Sequence, residues 1–350
     1  MADEFLILDV SSDDTKEAGK LFIKIRESID QFVEENDFEV MYTISGGSLA
    51  LHSSENIEYS KVMKLTDFSL NEAKKRGRNR CYIFDEKDYS RFIRKGEITQ
   101  ELREATRNGF QGFVAFYQPV IEAKSGRLSG AESLMRFSSS KFGMVSPVEF
   151  IPILEETGLI IPVGRWMMKE AMEKCSQIRK VIPGFKVNIN ISQVQVSKSD
   201  VIIDIADEME KAGLSPEAMN IELTESDLLE GDINTQHFLK ELKRMGIKLA
   251  LDDFGTGYSN FHYLSELDPE IIKIDRSFTS SAVADEKEYY LLKQFCRMIH
   301  NLGLKICIEG VENQEEWAKI QKLEPDFGQG FFWGRPCGYD EFVRQFIEKK

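Results

Sequence analysis

The sequence predicts an α/β protein whose larger part is a (β/α)8 barrel, preceded by a smaller, partial α+β segment. Three observations point there. From Gly112 onward, about eight short apolar runs alternate with stretches of helical periodicity. Nearly every run ends on a polar, mostly acidic residue. The chain of 350 residues is longer than one ordinary domain.

In the first part, FLILDV (5–10) reads as a short strand. Residues 15–35 carry Ala18, Leu21, Phe22, Ile25, Ile29 and Phe32 at helical spacing and read as an amphipathic helix. FEVMYTISGGSLAL (38–51) reads as a strand interrupted by two glycines. Residues 60–75 read as a helix and RNRCYIF (78–84) as a strand. Gly46 and Gly47 suggest a bulge more than a phosphate-cradling turn, since no basic residue accompanies them. Two strand–helix units make a thin core. The charged stretch from Glu86 to Arg107 reads as a connecting helix. The expected organisation is a partial domain over 1–90, a linker helix over 91–108 and a barrel over 109–350.

The barrel strands are VAFYQPVI, LSGAESLMRF, FKVNINIS, MNIELTES, IKLALDDFG, EIIKIDRSF, LKICIEGV and FGQGFFWG. The helical stretches are 147–156, 163–180, 200–212, 235–245, 287–302 and 314–323. The strands end at or near Glu132, Asn190, Glu222 with Glu225, Asp252 with Asp253, Lys273 with Asp275, Glu309 with Glu312, and Gln329. In a barrel these ends meet on one face, where active sites are built. Taken singly, an acidic residue after a strand is most often a helix cap or a turn residue. Six or more in register are a different matter.

Carboxylates crowded into one cup repel each other unless a cation neutralises them. Oxygen donors with one amide suit Mg2+ or Mn2+ better than zinc. Two such ions, ~3.5–4 Å apart, would clamp an attacking water and a phosphoryl oxygen. In LALDDFGTGYSN, the apolar run delivers Asp252 and Asp253 to that cup, and Gly255 and Gly257 let backbone approach closely. Phe332 and Trp333 read as packing residues.

The bulk composition narrows the classes. Hydrophobic content of 42% and charged content of 30% are those of a globular protein. A net charge of −14 argues against a polymeric nucleic-acid surface. The five cysteines are scattered without a C-x-x-C pair and the four histidines are dispersed, so a zinc site is not expected. Reduced thiols fit a cytoplasmic setting. No apolar run approaches the ~20 residues of a membrane helix, although a longer parent protein would have room for upstream sensor or membrane segments.

From about Glu97 to Lys350 the chain resembles the EAL domain family of cyclic di-GMP phosphodiesterases. The segments that carry this are FYQPVIEAKSGRLSGAESLMRF, EFIPILEETGLIIPVGRW, VNINIS, IELTES, LDDFGTGYSNFHYL, IIKIDRSF, IEGVEN and QGFFWGRP. The resemblance implies a TIM-like barrel that hydrolyses cyclic di-GMP to linear pGpG with Mg2+ or Mn2+, two ions being expected. It implies Glu132, Asn190, Glu222 and Asp252 as metal ligands. Asp253 would bind the second metal or the attacking water, Lys273 would contact that water, and Glu309 would be metal ligand or general base. Gln329 would position water or substrate, and Glu225 would steady the DDFG loop. Arg136 would contact phosphate, and Gln118 and Leu134 would lie on the guanine side. A homodimer is implied by resemblance alone. Serine at 133 for the family's alanine, Phe137 for tryptophan and Asn313 for threonine are departures, and none removes a carboxylate. The alternative is a catalytically silent cyclic di-GMP receptor; such EAL-like receptors usually lack part of the acidic cluster. A protein-interaction scaffold is a third reading.

The segments ADEFLIL, TISGGSLAL and EAKKRGRNRCYIFD resemble the latter half of a GGDEF (diguanylate cyclase-like) domain. Ala2 replaces the motif's second glycine and the first half of such a domain does not precede it, so no cyclic di-GMP synthesis is expected.

Overall fold

The computed structural model describes residues 4–9, 15–51, 57–225, 233–255 and 269–348. The chain divides into two compact units, Met1–Glu97 and Ile98–Lys350.

In the first unit, α1 (Thr15–Glu35) and α2 (Tyr59–Lys75) accompany a two-stranded parallel sheet of β1 (Gly46–Ser48) and β2 (Cys81–Ile83). Both helices form where apolar periodicity placed them. The strands fall short of expectation. FEVMYTISGGSLAL contributes only three residues to the ladder, and Glu4–Asp9 of the expected FLILDV strand carries no regular structure. A strand needs a ladder partner, and with Phe5 92% and Leu8 80% exposed, nothing among the described residues covers this segment. Val10 of that expected strand, with Ala2 and Asp3 of the GGDEF-like segment, lies outside the described residues. Gly46 and Gly47 form neither bulge nor phosphate turn: both sit in β1, opposite Cys81 and Tyr82. A Cβ on Gly47 would lie 2.2 Å from the Leu70 backbone nitrogen, so glycine is what lets α2 cross the strand. Phe68 centres the small core, with Tyr82, Phe84, Tyr89 and Phe92 around it. Helix α3 (Glu86–Arg107) is the expected charged helix, running across the boundary of the two units in sequence.

The second unit is a barrel. Its strands are β3 (Phe113–Glu122), β4 (Leu128–Ser139), β6 (Lys186–Asn190), β7 (Met219–Thr224), β8 (Lys248–Phe254), β9 (Ile271–Ile274), β10 (Lys305–Ile308) and β11 (Phe327–Gln329). They pair in that order, and β3–β4 pairing closes the ring. The short strands β5 (Gly143–Val145) and β12 (Cys337–Gly338) flank it. One strand departs from the all-parallel pattern: β3 runs antiparallel to both β4 and β11. Only residues 123–127 separate β3 from β4, enough for a hairpin but not for the crossover a parallel pair needs.

The helices are α4 (Pro147–Thr157), α5 (Ile160–Arg179), α6 (Gln193–Lys198), α7 (Val201–Ala212), α8 (Ile233–Met245), α9 (Arg276–Ala284), α10 (Glu286–Asn301), α11 (Gln314–Ile320) and α12 (Tyr339–Phe346). The expected helical stretches all form. The unexpected α6, α9 and α12 are short, and too few turns leave little periodicity to read.

Strand alternation divides the core. Outward residues such as Val187, Ile189, Ile221, Leu223, Leu249, Leu251, Ile306 and Ile308 pack under the helices. Inside the barrel, Val120, Ala250, Ile271 and Cys307 form a small apolar layer with Phe327. Above that layer the interior turns polar. Among the described residues no helix is long and apolar enough to cross a membrane.

Candidate active site

The same alternation that buries Ile189 and Ile221 outward turns Asn188, Asn190, Asn220 and Glu222 inward. The neighbouring strands do likewise with Glu132, Asp252, Lys273, Glu309 and Gln329. Parallel register brings their C-terminal ends to one level: Glu132 pairs with Asn188, Asn190 with Glu222, and Thr224 with Asp252. The reversed strand supplies Gln118 at the level of Glu132.

Lys273, 1% exposed, is the centre of the cup. Its Nζ lies 2.8 Å from Glu309 Oε1, 2.9 Å from Glu222 Oε2, 3.2 Å from Glu132 Oε2 and 3.2 Å from Asp252 Oδ2. Glu132 is held on both oxygens: Asn190 Nδ2 donates to Oε1 at 2.9 Å, and Gln329 Nε2 donates to Oε2 at 2.6 Å. Gln329 also donates to Gln118 Oε1 at 3.2 Å, and Gln118 Nε2 donates to the Gly334 carbonyl at 3.3 Å. Eight of the residues singled out in the sequence thus form one connected network.

Four carboxylates face one ammonium, and the imbalance shows in their proton affinities. Burial alone would push the Lys273 ammonium down, but Asp252, Glu132, Glu222 and Glu309 raise it well above the usual lysine range. Burial, added to by neighbouring carboxylates, pushes Glu222 far up despite Lys273. Glu309 is pushed up to about 8, first by burial and then by Asp252 and Glu132. Glu132 goes the other way: burial opposes its charge, but Lys273, Gln329 and Asn190 together hold it below the usual range.

Asp253 follows Asp252 with its own backbone turned left-handed, at φ 52°. Its side chain is exposed, and its carboxyl is raised to about 6 by partial burial and by Asp252 and Asp275. Its amide donates to Asp252 Oδ1 at 2.9 Å. Glu225 lies outside the cup: Oε2 accepts from the Gly255 amide at 2.8 Å, tying the end of β8 to the end of β7. Gly255 has φ 96°, and a Cβ there would meet the Phe278 ring at 2.7 Å. Gly257, the other glycine of that turn, lies outside the described residues.

Arg136 and Leu134 stand farther along β4. Leu134 pairs with Phe116. Arg136 donates to the Met135 carbonyl at 2.8 Å and lies 5.6 Å from the centre of the Phe116 ring. Burial pushes the Arg136 guanidinium down, and the charge of Glu132 opposes that shift. Glu312 and Asp275 are structural: Glu312 pairs with Arg276 at 2.7 Å, and Asp275 caps α9. Trp333 packs edge-on against Trp317 and Phe332, as a packing residue should.

Two inward asparagines were not singled out in the sequence. Asn188 Nδ2 donates to Glu222 Oε1 at 2.7 Å, and Asn220 Nδ2 donates to Asn188 Oδ1 at 2.8 Å. Their position two residues before Asn190 and Glu222 on inward-facing strands is the signal that would have found them. Ser133 is explained too: its hydroxyl donates to the Asn188 carbonyl at 2.8 Å and leaves Glu132 undisturbed.

The donor set fits a hard divalent cation. Glu132, Glu222 and Asp252 each place an oxygen within 4.8 Å of one another. The amide of Asn190 donates through nitrogen, which leaves its carbonyl oxygen for a cation. All are oxygen donors, and their surplus negative charge is what a divalent ion relieves.

Comparison with known proteins agrees with this geometry. The EAL domain family matches residues 99–336. The signaling protein YkoW of Bacillus subtilis is 31% identical over 348 residues, 99% of this chain and 43% of YkoW. The bifunctional diguanylate cyclase/cyclic di-GMP phosphodiesterase MucR of Pseudomonas aeruginosa is 29% identical over 345 residues, 97% of this chain and 49% of MucR. The chain therefore spans under half the length of these two relatives. The solved PaMucR phosphodiesterase in complex with c-di-GMP superposes with a TM-score of 0.66 at 29% identity, covering 70% of this chain and 99% of that one. With its barrel, its acidic cup and the match over residues 99–336, the chain belongs to the EAL domain family.

Proposed function

We propose that the chain is a metal-dependent phosphodiesterase that hydrolyses cyclic di-GMP to linear pGpG. The observation that carries this is the ring of four carboxylates around Lys273 at the C-terminal ends of the barrel strands. The activity printed for MucR and the c-di-GMP held by the PaMucR structure support the substrate.

Glu132, Asn190, Glu222 and Asp252 would hold one Mg2+ or Mn2+, and Asp253 and Glu309 a second. Bound there, the ions supply Lewis-acid polarisation of the phosphoryl oxygen and lower the pKa of water. The protein does the rest. Lys273 holds the nucleophilic water beside the carboxylates, and Glu309, where it does not bind the second ion, takes that water's proton. The water oxygen bonds to phosphorus as the bond from phosphorus to the 3′ oxygen breaks, and that oxygen takes a proton from solvent, leaving a 5′-phosphate and a free 3′-hydroxyl on an opened ring. Gln329 and Gln118 align the substrate beside Glu132, Arg136 takes phosphate charge, and Leu134 lies against a guanine. Glu225 keeps the Asp252–Asp253 turn in place.

The first unit would be a degenerate GGDEF-like segment, a reading supported by the match of MucR, named a bifunctional diguanylate cyclase/cyclic di-GMP phosphodiesterase, over 97% of this chain. Residues 1–90, 91–108 and 109–350 would then be remnant, linker and catalytic domain. A homodimer in the cytoplasm completes the proposal.

The test is to incubate the purified protein with cyclic di-GMP and Mn2+ or Mg2+, then with EDTA, and separate the nucleotides by chromatography. The expected result is a metal-dependent pGpG peak that disappears in Glu132→Ala. Binding of the ligand without any product would favour the silent receptor instead.

A further inference from the structure

Glu222 is fully buried and offers its two oxygens to different partners: Oε2 to Lys273 and Oε1 to Asn188. A carboxylate oxygen only accepts, so Asn188 must present its nitrogen to Glu222. Its carbonyl oxygen then faces away and needs a donor, which Asn220 Nδ2 provides at 2.8 Å. The two asparagines are direct register partners on β6 and β7, 6% and 3% exposed. One amide thus fixes the orientation of the next, and that one fixes the carboxylate.

Stability alone does not call for such a pair. The barrel interior also holds a small apolar layer of Val120, Ala250, Ile271 and Cys307, filled without amides. Asn220 Oδ1, at the end of the relay, has no hydrogen-bond partner among the described residues. A buried amide that leaves a carbonyl oxygen without a protein donor gives back much of what its own hydrogen bond gains, so Asn220 adds little to stability, whereas removing Asn188 leaves the buried Glu222 Oε1 unpaired at a cost.

We infer that Asn188 and Asn220 are positioning residues: they hold Glu222 so that Oε1 is occupied and Oε2 alone is turned toward the cation and Lys273. Metal-ligating carboxylates are commonly oriented by such hydrogen-bonded neighbours, whose loss weakens metal affinity about 10- to 100-fold. The inference rests on the proposed role of Glu222 as a metal ligand.

The test uses the full chain stripped with EDTA. Mn2+ binding is measured by calorimetry, and melting temperature is recorded without metal. For Asn188→Leu with Asn220→Leu, the expected result is Mn2+ affinity reduced about 10- to 100-fold, with a lowered melting temperature because Glu222 Oε1 loses its donor. A purely structural role would move the melting temperature and leave the affinity alone, and that result overturns the inference. Asn220→Ala serves as the second variant: it keeps Asn188 but frees it to turn, and a smaller loss of affinity in the same direction is expected. Unchanged affinity in Asn220→Ala counts against the relay. Glu222→Gln separates the two levels. If it leaves Mn2+ affinity unchanged, the ligand assignment fails and the inference falls with it. If it abolishes binding while the amide variants bind normally, the inference alone is overturned.

Discussion

At the residue scale, the site turns on charge largely withdrawn from water. Lys273 touches four carboxylates in a barrel interior. Breaking a buried ion network by removing one partner typically costs about 3–5 kcal/mol, because the remaining charges are left uncompensated. Lys273→Met should therefore destabilise the metal-free protein by about that amount in urea unfolding. A divalent ion replaces positive charge, so Mg2+ or Mn2+ should raise the stability of Lys273→Met more than that of the parent. Equal metal effects on the two proteins would argue that the carboxylates do not share one cation site with the lysine. Which residues would meet was legible because inward-facing residues at strand ends converge whatever lies between them. Asn188 and Asn220 were not legible in the same way. A neutral amide inside a barrel announces itself only through the carboxylate it touches, and that contact joins residues 34 apart in sequence.

At the element scale, the helices were legible and the edges of the strand pattern were not. Helix α1 formed over the residues its periodicity marked, since one apolar stripe suffices to define a helix face. The apolar run Phe5–Asp9 has no partner strand among the described residues, and a strand exists only with one. The reversal of β3 could have been read from the five residues that separate it from β4. It matters for the site, because it brings Gln118 to Glu132 from a strand running the other way. The end of β8 is the most demanding element. It carries Asp252 and Asp253, the latter in left-handed conformation, and the hydrogen bond from the Gly255 amide to Glu225 helps restrain it. Glu225→Ala should loosen this turn without disturbing the packed core. We expect kcat to fall roughly 10- to 100-fold, the scale of a small misplacement at a reacting centre, while the melting temperature stays within a few degrees. Gly255→Ala should act in the same direction, since a methyl group there collides with Phe278. A loss of global stability as large as the loss of activity would show that the turn holds up the barrel rather than the chemistry.

At the scale of the whole molecule, the proposed function asks a protein of net charge −14 to take up a ligand with two phosphodiester charges. On that proposal, Lewis-acid ions and Arg136 would favour the ligand only at close range. Two divalent ions would just balance the four carboxylates that surround Lys273, together with Asp253, against its one ammonium. At longer range the excess acidic groups of the surface repel the ligand. Salt screens the two contributions unequally: the Debye length falls from ~30 Å at 0.01 M to ~8 Å at 0.15 M, so exposed and distant charges are muted before contacts inside the cup are. The sign is thus the reverse of that for a basic, ligand-steering surface. With free Mn2+ buffered, kcat/KM for cyclic di-GMP should rise a few-fold between those ionic strengths, chiefly through KM, because kcat depends on groups already in contact. Steady-state rates across a chloride series measure this. A fall in kcat/KM over the same range would mean that a local basic surface, and not the acidic whole, governs the approach of the nucleotide.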